Sequence, residues 1–307
     1  MTGTAKRHAR ARPVDLAGRT VVVTGASPGS LGFATARALA DWGANVVVTT
    51  RTDTGAVLTA LSGVRRSVAG HPLDLTDAGS VERFAAWFAR TADRLDVLVN
   101  NAGVHLDLRS KWREPRRMAD GHEIHWRTNY LGPLHLTHRL LPQLLATAEP
   151  AGEARVVNVV SKLHVRGRNQ FLFAPIDPYD SWTAYGTSKL ALVHAAVELA
   201  RRHPTLRAYA VHPGSVFSHI ADRGLEERRV LSAVRHAFAP VERRLLLSPD
   251  QGAQTSLHCA TAPGLPSGYY RGCAAPASPS REVQDAIVAA RLWDETAAWV
   301  AALPSVR

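Results

Sequence analysis

Six short apolar runs alternate with segments of helical period, and no other feature constrains the chain so tightly. They are "TVVV" (20–23), "NVVVT" (45–49), "HPLDL" (71–75), "LDVLV" (95–99), "ARVVNVV" (154–160) and "LRAYAVH" (206–212). Most lack the apolar–polar alternation of a strand with one wet face, so they read as strands buried on both sides. Between them lie stretches such as "AGSVERFAAWFART", where Val81, Phe84, Ala85 and Phe88 share one helical face. Strand and helix in turn, joined by right-handed crossovers, give an α/β fold: a doubly wound parallel sheet of Rossmann type with helices on both faces.

The rhythm breaks past Pro213. Residues 215–248 read as a helical lid of mixed apolar and basic residues, "GYYRGC" (268–273) as a last strand, and "REVQDAIVAARLWDETAAWVAAL" as a closing helix. No internal repeat or long linker divides the 307 residues. We read residues 17–307 as a single domain behind a basic, disordered arm, residues 1–16.

Composition closes off several classes of function. No apolar run approaches the roughly 18 residues of a membrane span, and the basic N-terminal segment lacks the apolar core of a secretory signal. A cytoplasmic protein with no membrane partner is expected. Cys259 and Cys273 are too few for a disulfide framework. The net charge of +11 invites nucleic acid as a partner. Only four of the 37 basic side chains are Lys (Lys6, Lys111, Lys162, Lys189), and the Arg residues are scattered apart from the arm and the run Arg109 to Arg117. Nothing resembles a recognition helix or a zinc finger, so no nucleic acid is expected. His122 and His125, like His135 and His138, stand three apart and do not fit H-E-x-x-H; no metal is expected.

The stretch "TGASPGSLG" (24–32) closes the first strand and opens the first helix. Backbone N–H groups and the dipole at a helix start favour a pyrophosphate, and glycines let it approach. Gly25, Gly29 and Gly32 are spaced four and then three apart, so neither G-x-G-x-x-G nor T-G-x-x-x-G-x-G fits without a gap. Four further signals follow in order. "NNAG" (100–103) closes the fourth strand, with Asn129 in "TNYLG" on the helix beyond. Ser161 ends the fifth strand, "YGTSK" sets Tyr185 and Lys189 one helical turn apart, and "HPG" (212–214) ends the sixth strand.

These signals, in this order, resemble the short-chain dehydrogenase/reductase family from Thr20 to about Trp299. "DGHEIHWRTNYLGPLHLT", "LALVHAAVELARR" and "RLWDET" most resemble its retinol-dehydrogenase-like branch. The resemblance makes "TGASPGSLG" the cofactor loop with one residue inserted between Gly29 and Gly32. It implies Asn129, Ser161, Tyr185 and Lys189 as the catalytic set. Tyr185 is the proton donor to the developing alkoxide, and Lys189 lowers the phenol pKa and reaches the nicotinamide ribose. Ser161 polarises the substrate oxygen, and Asn129 holds a water linking Lys189 to solvent. Cofactor contacts fall on Gly25, Ser27, Gly29, Ser30, Leu31 and Gly32, on Asn101, Ala102 and Gly103, and on Tyr185 and Lys189. Asp74 and Leu75 would flank the adenine, and Pro213, Gly214, Val216 and Ser218 the nicotinamide.

Cofactor choice rests on the end of the second strand. A carboxylate there would bind the 2′-hydroxyl of NAD; this chain has Thr49, Thr50 and Arg51, which implies NADP(H). Ser161 and Tyr185 are 24 positions apart, about twice the separation in much of the family. The added loop carries Phe171, Leu172 and Phe173, and the segment past Pro213 adds Phe217, Ile220 and Phe238 among arginines. Together they suggest a large apolar lid over a bulky lipophilic or polycyclic ketone, aldehyde or alcohol of secondary metabolism, with His164, Phe171 and Phe217 touching it. Two other readings compete: a non-redox epimerase or dehydratase, and a non-catalytic dinucleotide-binding regulator. The long helices after "NNAG" and around Tyr185 are expected to pair chains into a homodimer or homotetramer.

Overall fold

A computed structural model describes residues 9–66, 68–105, 113–216 and 246–304. Seven parallel strands lie in the order β3-β2-β1-β4-β5-β6-β7. They are β1 Thr20–Thr24, β2 Asn45–Thr50, β3 Val68–Pro72, β4 Val97–Asn100, β5 Ala154–Val159, β6 Leu206–Val211 and β7 Gly268–Tyr270. The helices are α1 Leu31–Asp41, α2 Gly55–Ala60, α3 Ala78–Thr91, α4 Ile124–Trp126, α5 Gly132–Ala151, α6 Ser181–Arg202, α7 Pro249–Thr261 and α8 Ala286–Ala301. A π-helical turn, Arg127–Leu131, joins α4 to α5.

The continuous Val runs bury both faces of the sheet, as expected. Val22, Leu98 and Val156 pack on one side with Phe84, Phe88, Leu140, Leu190 and Trp293, from α3, α5, α6 and α8. Val21, Val23, Val48 and Val157 pack on the other with Leu39, Val57 and Leu257, from α1, α2 and α7. The doubly wound fold is thus the one the alternation predicts. No helix among the described residues is long and apolar enough to cross a membrane.

Several boundaries differ. The third strand is Val68–Pro72 rather than "HPLDL"; it lies at the sheet edge, where one neighbour suffices and a weakly apolar sequence is tolerated. Leu73 and Leu75 follow the strand and turn into the core. Helix α7 was not anticipated, because its small and polar residues hide an apolar face. Its start is legible afterwards: Ser248 and Gln251 form a capping box, with Pro249 in the first turn. Residues 9–16 are not a loose arm. Ala11 is buried and its N–H donates to Gln254 Oε1 (3.0 Å), while Leu16 N–H donates to Trp42 O (2.8 Å).

The outer face of α5 and α6, expected to pair with a second chain, is covered in cis by α8. Trp293 is buried there with its ring 4.8 Å from that of His138. Tyr130 Oη and Thr296 Oγ1 lie 2.7 Å apart, and Arg202 pairs with Asp294 at 2.8 Å.

Candidate active site

The C-terminal ends of β1, β4, β5 and β6 bring four loops to one cleft, the place where doubly wound sheets bind ligands. From the first loop Gly25, Ser27, Ser30 and Leu31 line it, and from the second Asn101, Ala102 and Gly103. Ser161, Tyr185 and Lys189 form the next wall, and Pro213, Gly214 and Val216 complete it. Pro28, Val159, Val160 and His212, which sequence reasoning did not single out, also line the cleft. The His212 ring is buried, which pushes its pKa down to about 4 and keeps it neutral near pH 7.

The glycine loop is built to lie against "NNAG". Gly25 has φ +69°, and a Cβ there would stand 2.8 Å from Ala102 Cα. A Cβ on Gly32 would stand 2.4 Å from Asn101 Nδ2 and 2.6 Å from Gly25 O. That space belongs to the Asn101 amide, which donates to Thr24 O (2.8 Å) and Gly25 O (3.1 Å). Gly29 takes a left-handed φ of +76°. Ser30 then caps α1: its Oγ accepts from Phe33 N–H (3.1 Å) and donates to Gly25 O (3.3 Å). The non-standard spacing therefore still ends in a capped helix start facing the cleft. Gly29 and Gly32 shape the loop without lining the cleft.

Asp180 starts α6 by accepting from Thr183 N–H (2.9 Å), and one turn later the helix presents Tyr185 and Lys189. Burial pushes the Tyr185 phenol up to about 12, although the neighbouring Ser161 side chain favours the phenolate. Lys189 Nζ donates to Val159 O (3.0 Å) and lies 5.9 Å from the Tyr185 ring centre. Burial brings its pKa down to about 8. Burial is the largest influence on the phenol, and it favours the protonated form.

Asn129 sits in the π-helical turn, buried, between the "NNAG" loop and α6. Its Oδ1 accepts from Val104 N–H (2.7 Å), and its Nδ2 donates to Val104 O (2.9 Å) and Ser188 Oγ (3.2 Å). It fastens the loop to α6. A Cβ on Gly103 would stand 3.1 Å from Asn129 Oδ1 and 3.2 Å from Lys189 Nζ, so glycine keeps this corner open.

Other expected residues are not gathered into the cleft lining. Arg51 is exposed just past β2 and engages no carboxylate among the described residues. Asp74 accepts from Thr76 N–H (2.8 Å), and Leu75 is buried with its carbonyl accepting from Arg127 Nη1 (2.6 Å). His164 is turned into the protein: its Nδ1 is 2.8 Å from Ser161 O and its Nε2 accepts from Ser280 N–H (3.3 Å), which leaves no free ring nitrogen for substrate. The loop after Ser161 does not arch over the cleft from Asn169 onward. Asn169 N–H donates to Glu282 Oε2 (2.6 Å), Leu172 is buried in the core, and Phe173 lies under Arg291 (3.9 Å). Phe171 is half-buried in this stretch and does not line the cleft. These apolar residues pack the loop down, which is why they are apolar. Phe217 and Ser218, and the lid from 217 to 245, lie outside the described residues.

A family profile described as short chain dehydrogenase matches residues 19–228. Human retinol dehydrogenase 11 is 37% identical over 295 residues, covering 92% of this chain and 85% of that protein. A crystal structure of an uncharacterized protein from Mycobacterium paratuberculosis shares 32% identity, with a TM-score of 0.69 over 94% of this chain and 95% of that one. The Pseudomonas aeruginosa "RhlG/NADP active-site complex" shares 26% identity, with a TM-score of 0.60 over 85% and 97%.

Proposed function

The chain belongs to the short-chain dehydrogenase family of oxidoreductases, and we propose that it is an NADP(H)-dependent enzyme interconverting a lipophilic alcohol with its aldehyde or ketone. One observation carries the reading: the capped glycine loop and the Ser161–Tyr185–Lys189 set line a single cleft. The glycine loop drawn tight against "NNAG", and the corner left open at Gly103, fit a dinucleotide laid across the C-terminal edge of the sheet. When bound there, the nicotinamide supplies or accepts a hydride. Ser161 then holds the substrate oxygen beside the Tyr185 hydroxyl. A buried, neutral Tyr185 is in the competent form for the reductive direction, where it gives its proton to the new alkoxide. Lys189, still mostly charged at pH 7, stabilises the phenolate left behind and offers donors to the ribose hydroxyls.

Support for NADP(H) is Arg51 at the end of β2 in place of a carboxylate, together with the NADP complex of the Pseudomonas relative. Support for a lipophilic substrate is the similarity to a protein named a retinol dehydrogenase. Assembly into a homodimer or homotetramer would have to use a surface other than the α5–α6 face that α8 covers.

The test is a panel of ketones and aldehydes graded in apolar bulk, followed at the nicotinamide absorbance band with NADPH and with Tyr185→Phe as control. Turnover should favour the bulkier substrates, and the Phe variant should lose about 10²- to 10⁴-fold in kcat while still binding NADPH. Turnover that survives in Tyr185→Phe, or that falls steadily with bulk, overturns the reading.

A further inference from the structure

A second aromatic ring lies flat against the phenol of Tyr185. The imidazole of His105 stacks on it with ring centres 4.0 Å apart and planes 12° from parallel. His105 is itself buried, two residues past "NNAG". Trp182, one turn before Tyr185 on α6, stands edge-on to the imidazole at 5.0 Å and 79°. His125 closes the corner, edge-on to His105 at 5.9 Å and to Tyr185 at 6.0 Å. His125 is held in turn by Glu123, whose Oε1 lies 2.8 Å from its Nδ1 and also accepts from Tyr179 Oη (3.0 Å). Three segments distant in sequence thus converge on one ring.

We propose that His105 is a positioning residue for Tyr185: stacked on the phenol, it fixes the ring plane and so the direction in which the hydroxyl points. The inference rests on Tyr185 being the proton donor, as proposed above. A phenolic O–H lies in the plane of its ring, so tilting the ring re-aims the proton. A pivot normal to the ring plane also carries the oxygen away from Ser161. His105 blocks that pivot on one face, and the edge-on rings of Trp182 and His125 keep His105 from yielding. A ring packed flat at this distance leaves the phenol no room to tilt toward that face, which biases one orientation of an already packed ring. The long separation of Ser161 and Tyr185 gains a purpose here: it supplies Tyr179, which steadies Glu123 and through it His125.

The test compares His105→Ala, His105→Leu and His105→Phe in the full-length protein. Phe restores a planar ring, whereas Leu restores bulk without one. We expect kcat to fall about 10- to 100-fold in the Ala and Leu variants, with the KM for NADPH little changed, and to recover in Phe. A second readout needs no turnover. In protein labelled at its six tyrosines, the Tyr185 ring signals, identified by their loss in Tyr185→Phe, should carry the ring-current shift of a stacked neighbour. That shift should vanish in Ala and Leu and persist in Phe. Unmoved Tyr185 signals in His105→Ala, or wild-type kcat in Ala and Leu, overturn the proposal. If the wild type reduces no carbonyl, the functional reading fails, and the ring signals alone still decide whether His105 holds the phenol.

Discussion

Lys189→Met should make the protein more stable while it ends catalysis. Lys189 is buried in the cleft wall, and burial brings its pKa from an ordinary 10.5 to about 8. At about 1.4 kcal/mol per pKa unit, the folded state carries a cost of roughly 3 kcal/mol for this charge at pH 7. Methionine keeps most of the stem and drops the charge. It also forfeits the 3.0 Å hydrogen bond to Val159 O, worth about 1.5 kcal/mol. The net gain is roughly 1–2 kcal/mol. Its pH dependence has a definite sign. The folded pKa lies below the unfolded one, so between about pH 8 and 10.5 the unfolded chain binds the extra proton and wild-type stability rises with pH. The penalty is complete below pH 8 and gone above 10.5. Urea unfolding of both proteins at about pH 7 and about pH 10 should show the Met variant ahead at the lower pH and level or behind at the higher. A variant equally destabilised at both would refute the reasoning, because it would mean that the ammonium costs the fold nothing.

Arg51→Asp should reverse the ratio of kcat/KM for NADPH over NADH, measured by steady-state kinetics; an unchanged ratio removes Arg51 from cofactor choice. Gly132→Ala should cost about 1–3 kcal/mol in urea unfolding, because the new Cβ would stand 2.3 Å from Leu75 O, a backbone atom already held by Arg127. Unchanged stability would show that residues 74–76 yield freely.

What the sequence could disclose follows the range of the forces involved. The central strands were legible because β-branched runs buried on both faces leave a local signature. Tyr185 and Lys189 were legible for the same reason, four apart on one helix. Edge strand β3 was misplaced because edge position, not composition, permits "VAGHP". Helix α7 escaped because Gly252 and its small neighbours are dictated by contact: a Cβ on Gly252 would stand 2.4 Å from Val216 Cγ2. His164 and Phe171 were placed at the substrate by proximity to Ser161 in sequence, but the chain turns inward there, and Ser280 and Glu282 take up its hydrogen bonds. The stack of His105 on Tyr185 joins residues 80 positions apart, and no periodicity announces it.

The cover that α8 lays over α5 and α6 also bears on the order of synthesis. The helix that carries Tyr185 and Lys189 is translated well before the residues that shield its outer face, since Leu292, Trp293 and Val300 lie far downstream on α8. Until they emerge from the ribosome, a nascent chain that already carries all seven strands presents a bare apolar flank. Sticky, unfinished surfaces of this kind are where neighbouring chains on one messenger adhere and where chaperones bind. Burial of Trp293 therefore has to await synthesis of α8, and slow elongation between α6 and α8 would lengthen the period of risk.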